Sequence, residues 1–119
     1  MALRVYGHKS CDTCRKAWKY LDDNGVEIER VSIVDTPPTR QELEQAWRRS
    51  GLDLKRFFNT SGRSYRSGGW SDRIKAGASQ AEQLDGLAGD PMLIKRPLAI
   101  GDAHVIVGFK PELYQPLLG

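Results

Sequence analysis

The chain has 119 residues, 39% hydrophobic and 28% charged, an ordinary globular composition that fits one domain burying roughly two-thirds of its unfolded surface. No apolar run nears the roughly 20 residues that span a bilayer. The start, Met1-Ala2-Leu3-Arg4-Val5-Tyr6, turns polar too soon for a signal peptide, so the cytoplasm is the expected compartment. A net charge of +3, from 18 basic and 15 acidic residues, argues against direct nucleic-acid binding and suits a small anion or an acidic peptide.

Leu3 to Tyr6 reads as a first strand ending at Gly7, followed by a loop, Gly7-His8-Lys9-Ser10. Cys14, Ala17, Trp18 and Leu21 then recur at i, i+3, i+4 and i+7, the buried face of a helix that Gly25 closes. Val26 to Val34 is β-branched and reads as a second strand, with a bulge or strand end expected where the alternation slips at Glu29-Arg30. Asp35-Thr36-Pro37-Pro38 is a turn. Thr39 and Glu42 form a capping box for a helix with Leu43, Ala46 and Trp47 on its apolar stripe, closed by Gly51.

Leu52 to Phe58 reads as a short helical piece, and the polar, basic stretch from Asn59 to Gly69 as a loop. A second capping box, Ser79 with Glu82, opens a helix through Leu84, Leu87 and Ala88 that ends at Gly89. Pro97 to Ile100 and His104 to Val107 form a hairpin about Gly101-Asp102, and Pro111 starts a C-terminal helix. Strand, helix and parallel strand, then a helical insert, then hairpin and helix, is the order of a thioredoxin or glutaredoxin fold. The fold class is α/β, with a mixed sheet of about four strands and a helical insertion.

The two cysteines, Cys11 and Cys14, form one Cys-x-x-Cys pair. A stapled secreted domain carries more. Zinc needs four ligands, and only His8 and His104 remain to complete a set, with no second cysteine pair. Redox chemistry is the better reading, with no metal. Cys11 falls where the first helix begins, and helix N-termini favour thiolate, lowering a free-cysteine pKa near 8.5 into a range of about 3.5 to 7.5. His8, Lys9, Arg15 and Lys16 add positive charge around it, opposed by Asp12. Cys11 is the expected nucleophile. Cys14, one helical turn on, is either a resolving thiol or a buried small hydrophobe. Pro97, preceded by Arg96, would lie opposite the cysteine loop, as a cis proline or as an ordinary trans proline opening a strand.

Cys11-Asp12-Thr13-Cys14-Arg15-Lys16-Ala17, Thr36-Pro37-Pro38-Thr39, Phe58-Asn59-Thr60-Ser61-Gly62 and Lys95-Arg96-Pro97-Leu98 together resemble the arsenate reductase family, the ArsC, Spx and YffB group. The resemblance runs nearly the whole chain. It implies one thioredoxin-like domain over 1-119 with a helical insert at about 39-90, a nucleophilic cysteine, a cis-proline, and reduction by glutathione or glutaredoxin. In the reductases the cysteine attacks arsenate, three arginines hold the oxyanion, and glutathione resolves the adduct. Cys11 matches the nucleophile and Arg96 the arginine before the proline, whose planar fork suits a tetrahedral oxyanion.

The other two arginines are replaced here by Asn59, which loses the charge, and Lys110, which loses the fork. Arg63 or Arg66 either reaches in from the loop or is simply solvated. The expected site is therefore Cys11, Cys14 and Arg96 as catalytic residues, with His8, Thr13, Arg15, Asn59, Arg63, Pro97 and Lys110 binding substrate or glutathione. No bound cofactor is expected; glutathione is a co-substrate.

Three functions follow. The first is an arsenate-reductase-like thiol oxidoreductase acting on an oxyanion or a glutathione mixed disulfide. The second is a Spx-type redox-sensing regulator that binds RNA polymerase, with Cys11-Cys14 as its disulfide switch. The third, direct nucleic-acid binding through Arg63, Arg66 and Arg73 with Tyr65 and Trp70, is disfavoured by the small net charge.

Overall fold

A computed structural model of the chain describes residues 2–118. In chain order its elements are β1 (Leu3–Gly7), α1 (Asp12–Asp23), β2 (Ile28–Ser32), α2 (Arg40–Ser50), α3 (Arg63–Ser67), α4 (Trp70–Lys75), α5 (Gln80–Gly89), β3 (Leu98–Ile100), β4 (Val105–Val107) and α6 (Pro111–Tyr114). Single turns of 3-10 helix cover Leu54–Phe57, Pro91–Leu93 and Gln115–Leu117. No helix among the described residues is long and apolar enough to cross a membrane. Contacts divide the chain into two compact units, one made of the residues through Thr36 together with those from Arg96 on, the other of Pro37–Lys95.

The first unit holds the sheet, in the order β2-β1-β3-β4. β1 and β2 are parallel and joined through α1, while β3 and β4 form the expected antiparallel hairpin. Leu3, Val5, Leu21, Ala99, Ile106 and Tyr114 make its core, with Trp18, Tyr20 and Phe109 packed at the margin. The helix face read from the sequence is the buried one at Cys14, Ala17 and Leu21. Trp18 is only half-buried, its Nε1–H donating to the Val5 carbonyl at 3.2 Å.

The expected bulge at Glu29-Arg30 is absent, since pairing runs unbroken from Leu3↔Ile28 to Gly7↔Ser32. The alternation slips for another reason. β2 is an edge strand, and edge strands carry charge that blocks further pairing. Glu29 pairs with Arg4 at 3.4 Å, and Arg30 pairs with Asp22. The strand is also shorter than Val26 to Val34.

In the second unit the Thr39–Glu42 capping box forms with both arms, and Gly51 ends α2 in the left-handed region at φ 71°. α2 packs on α5, and Arg40 donates to Asp85 at 2.5 Å. The stretch from Asn59 to Gly69 is not a plain loop, because it contains α3 and leads into α4. Neither helix has a side-chain N-cap, so the usual sequence signature is missing. Ser79 caps α5 as expected, accepting from the Glu82 N–H at 3.1 Å. The Glu82 carboxylate, the other half of the expected box, is taken instead by Arg73 at 2.8 Å.

Buried Trp70 organises this unit. Its indole lies 5.1 Å from the Phe58 ring and under the Arg73 guanidinium, and it crosses the Cα of Gly86 so closely that a side chain there would collide with it. Tyr65 meets the edge of Phe58. Tyr65 and Trp70 are thus engaged in packing.

Candidate active site at the cysteine loop

β1 ends at Gly7, and the chain needs only the loop His8-Lys9-Ser10 to reach α1. Cys11 is the N-cap of that helix, at φ −96° and ψ 110°. An N-cap side chain accepts from the free N–H groups of the first turn, and here the acceptor is sulfur. The Cys14 N–H donates to Cys11 Sγ at 3.2 Å. The Cys14 thiol donates to the same sulfur at 2.6 Å. The Cys11 N–H is held by the His8 carbonyl at 2.9 Å, and the Cys11 carbonyl accepts from Arg15 N–H at 3.1 Å. Both cysteines are free, Cys11 half-buried and Cys14 buried.

The two thiols are therefore unlike. Burial, then the hydrogen bond given to Cys11, pushes the Cys14 thiol from its ordinary 9.0 up to about 12; a backbone hydrogen bond from His8 and the charge of Arg96 act the other way. Burial also raises the Tyr114 phenol, helped by any negative charge on Cys14. Tyr114 Oη donates to the Gly108 carbonyl at 2.8 Å.

Both shifts stabilise the fold only while the groups stay protonated. That contribution is complete below about pH 9 for Cys14 and is lost as pH climbs toward 12. Urea midpoints of the reduced protein are therefore expected to fall from about pH 9 upward, and to fall less steeply in Cys14→Ala. Equal slopes for the two proteins would contradict the burial of a protonated thiol.

The Arg96-Pro97 peptide is cis. Leu98 pairs with Tyr6, which brings buried Pro97 level with Gly7, where β1 gives way to the cysteine loop. Thr13 is exposed in the first turn of α1. Arg15 is turned onto Asp12 and the Lys9 carbonyl, clipping the loop to the helix. His8 Nδ1 accepts from the Ser10 N–H at 3.1 Å and lies 2.5 Å from the Ser10 hydroxyl. Lys110 is exposed at the N-cap of α6.

Asn59 and Arg63 belong to the second unit. The Asn59 N–H donates to Leu93 O at 2.7 Å, its amide lies over Gly62, and Arg63 is exposed at the start of α3. Among the described residues no three His, Cys, Asp or Glu side chains gather as a metal site would need. Sequence reasoning missed Gly7 and Tyr114 as neighbours of the thiols. A Cβ on Gly7 would lie 2.7 Å from Trp18 Cζ2, 2.9 Å from Cys14 Cβ and 3.1 Å from Cys14 Sγ. Only the glycine itself, at the end of a strand before Cys-x-x-Cys, hinted at such a close approach.

The same arrangement of elements occurs in known proteins. An ArsC family related protein from Bacteroides fragilis superposes with a TM-score of 0.93, at 39% identity over 98% of both chains. The uncharacterised protein YusI of Bacillus subtilis is 45% identical over 97% of each chain. An arsenate reductase of Rhizobium meliloti is 28% identical over 84% of this chain and 69% of its own. The regulatory protein MgsR of Bacillus subtilis is 23% identical over 92% of this chain and 84% of its own. Residues 6–117 match the ArsC family, and with the thioredoxin-like sheet and a Cys-x-x-Cys at the mouth of α1, the chain belongs to that family.

Proposed function

We propose that the protein is a thiol oxidoreductase of the arsenate reductase type, dependent on glutathione or glutaredoxin, with Cys11 as its nucleophile. One observation carries the reading: the N–H and the S–H of Cys14 converge on the sulfur of Cys11. Negative charge on that sulfur meets two donors and a helix N-terminus, while Cys14 keeps its proton. Arg96, beside the cis-proline, is the group to hold an oxyanion at the attacking sulfur.

With an oxyanion substrate, Cys11 Sγ bonds to the central atom and water leaves. Glutathione then attacks Cys11 Sγ, the reduced oxyanion departs with the bonding pair, and a mixed disulfide remains. Cys14 displaces glutathione to give a Cys11–Cys14 disulfide, which two further thiols reduce. The balance is one oxyanion and two thiols consumed, and one reduced oxyanion, one disulfide and one water formed. With a glutathione mixed disulfide as substrate, the same two cysteines act without the first step. The resemblance gives the reductases two further arginines where this sequence has Asn59 and Lys110, and that difference in residue type favours this variant.

A second reading, a redox-sensing regulator that binds RNA polymerase, is supported by the similarity to MgsR and by a sulfur pair already in contact. Two assays separate them: arsenate reduction with glutathione and glutaredoxin, and polymerase binding by the reduced and the oxidised protein. Turnover without polymerase binding is the expected result. Binding governed by the oxidation state of the pair, with no turnover, would overturn the enzyme reading.

A further inference from the structure

Tyr114 is among the largest fully buried side chains of the protein, and the chemistry proposed for the thiols does not use it. Burial raises its phenol, so at neutral pH the hydroxyl keeps its proton and serves as a donor. It donates to the carbonyl of Gly108, which is buried as well, at 2.8 Å.

That carbonyl has lost the donor a sheet would give it. β3 and β4 pair Ala99 with Ile106 and Leu98 with Val107, so Pro97 stands opposite Gly108. Gly101 N–H donates to the His104 carbonyl, and Gly108 N–H to the Pro97 carbonyl, each at 2.8 Å. Hydrogen-bonded rungs recur at every second residue of an antiparallel pair, and the two residues on such a rung exchange both N–H···O bonds. Proline has no N–H to return. The Tyr114 hydroxyl, brought back to the strand end by α6, takes the place of that missing N–H.

The completed rung lies one residue from the site. Arg96, half-buried, precedes Pro97, and its charge reaches the Cys14 thiol. Leu98 follows Pro97 and pairs with Tyr6, beside the start of the cysteine loop. We propose that Tyr114 is a positioning residue: by closing the Pro97–Gly108 rung it fixes the backbone from which Arg96 meets an anion at the Cys11 sulfur. The proposal rests on Arg96 being the group that holds anions there.

Alkylation of Cys11 in the reduced full-length chain tests it. Iodoacetate is an anion and iodoacetamide is neutral, and both react with the thiolate. The ratio of their rates therefore reads positive charge at Cys11 and cancels the thiolate fraction. Tyr114→Phe keeps the ring and removes only the donor. The ratio is expected to fall about threefold in Tyr114→Phe and about fivefold in Arg96→Gln, the scale of a partly exposed charge pair. The double variant is expected to fall no further than Arg96→Gln alone. Deuterium exchange at the Gly108 amide is expected to be about tenfold faster in Tyr114→Phe, as loss of one hydrogen bond allows, with the Gly101 amide unchanged. Ile106→Val, which trims the core of the same hairpin, is the comparator. It should lower the urea midpoint and leave the ratio alone.

A ratio unchanged in Tyr114→Phe but lowered in Arg96→Gln overturns the proposal and leaves the reading of Arg96 intact. A ratio unchanged in Arg96→Gln removes that reading, and the proposal with it. An equal fall in Ile106→Val, or a further threefold fall in the double variant, makes Tyr114 a packing residue and nothing more.

Discussion

Cys11→Ser is expected to lower thiol-dependent reduction by roughly a thousandfold or more, because a serine hydroxyl cannot take part in disulfide exchange. The fold is expected to survive, since Cys11 is only half-buried and serine is a good N-cap that can accept the same N–H from Cys14. Cys14→Ser separates the two thiols. A serine at that buried position keeps the volume and a donor toward Cys11, at a cost of about 1–2 kcal/mol for a buried hydroxyl. Its attack on a mixed disulfide is impossible, so Cys11 should accumulate capped by glutathione, seen as an adduct by intact-protein mass spectrometry. Turnover then continues only as fast as a second glutathione removes the cap. Cys11→Ser protein with wild-type turnover would remove the basis of the mechanism. Cys14→Ser protein with no trapped adduct would reduce Cys14 to a packing residue.

Much of this arrangement is legible in local patterns. The i, i+3, i+4, i+7 spacing of Cys14, Ala17, Trp18 and Leu21 encodes both the helix and the inward direction of Cys14, so Cys11 must fall at the helix mouth. The Thr39–Glu42 box and the left-handed Gly51 mark α2 as plainly, because caps act within a few residues. What local pattern cannot carry is competition among distant partners. Glu82 has the spacing of a capping-box acid, but Arg73 captures its carboxylate and only half the box forms. Arg63–Ser67 is helical without any cap signal, the kind of short element that tertiary packing imposes. Charge at Glu29 and Arg30 signals the edge position of β2, which depends on strand order, and reads locally as a break. The pairing of β1 with β2 brings His8 and Lys9 to one cleft with Arg30 and Asp35, although each residue alone reads as solvated charge.

Gly7→Ala is expected to cost about 3 kcal/mol, the upper end for overpacking, or roughly 10 °C in Tm. The added Cβ is caught on two sides, by the Trp18 ring at 2.7 Å and by Cys14 Cβ at 2.9 Å. Neither neighbour yields easily, because the indole is tied to the Val5 carbonyl and Cys14 is fixed in the first turn of α1. Gly25→Ala is the control. Gly25 has φ 74° and nothing within 4 Å of its added Cβ, so it reads backbone strain alone, about 1 kcal/mol. Because the Gly7 Cβ would lie 2.9 Å from Cys14 Cβ and 3.1 Å from its Sγ, relief displaces the Cys14 side chain, which lengthens the 2.6 Å approach of the two sulfurs. Gly7→Ala should therefore also slow closure of the Cys11–Cys14 disulfide, measured by stopped-flow after mixing with oxidised glutathione, while Gly25→Ala should not. A Gly7→Ala protein as stable as Gly25→Ala, closing its disulfide at the wild-type rate, would mean that the strand end does not set the distance between the thiols.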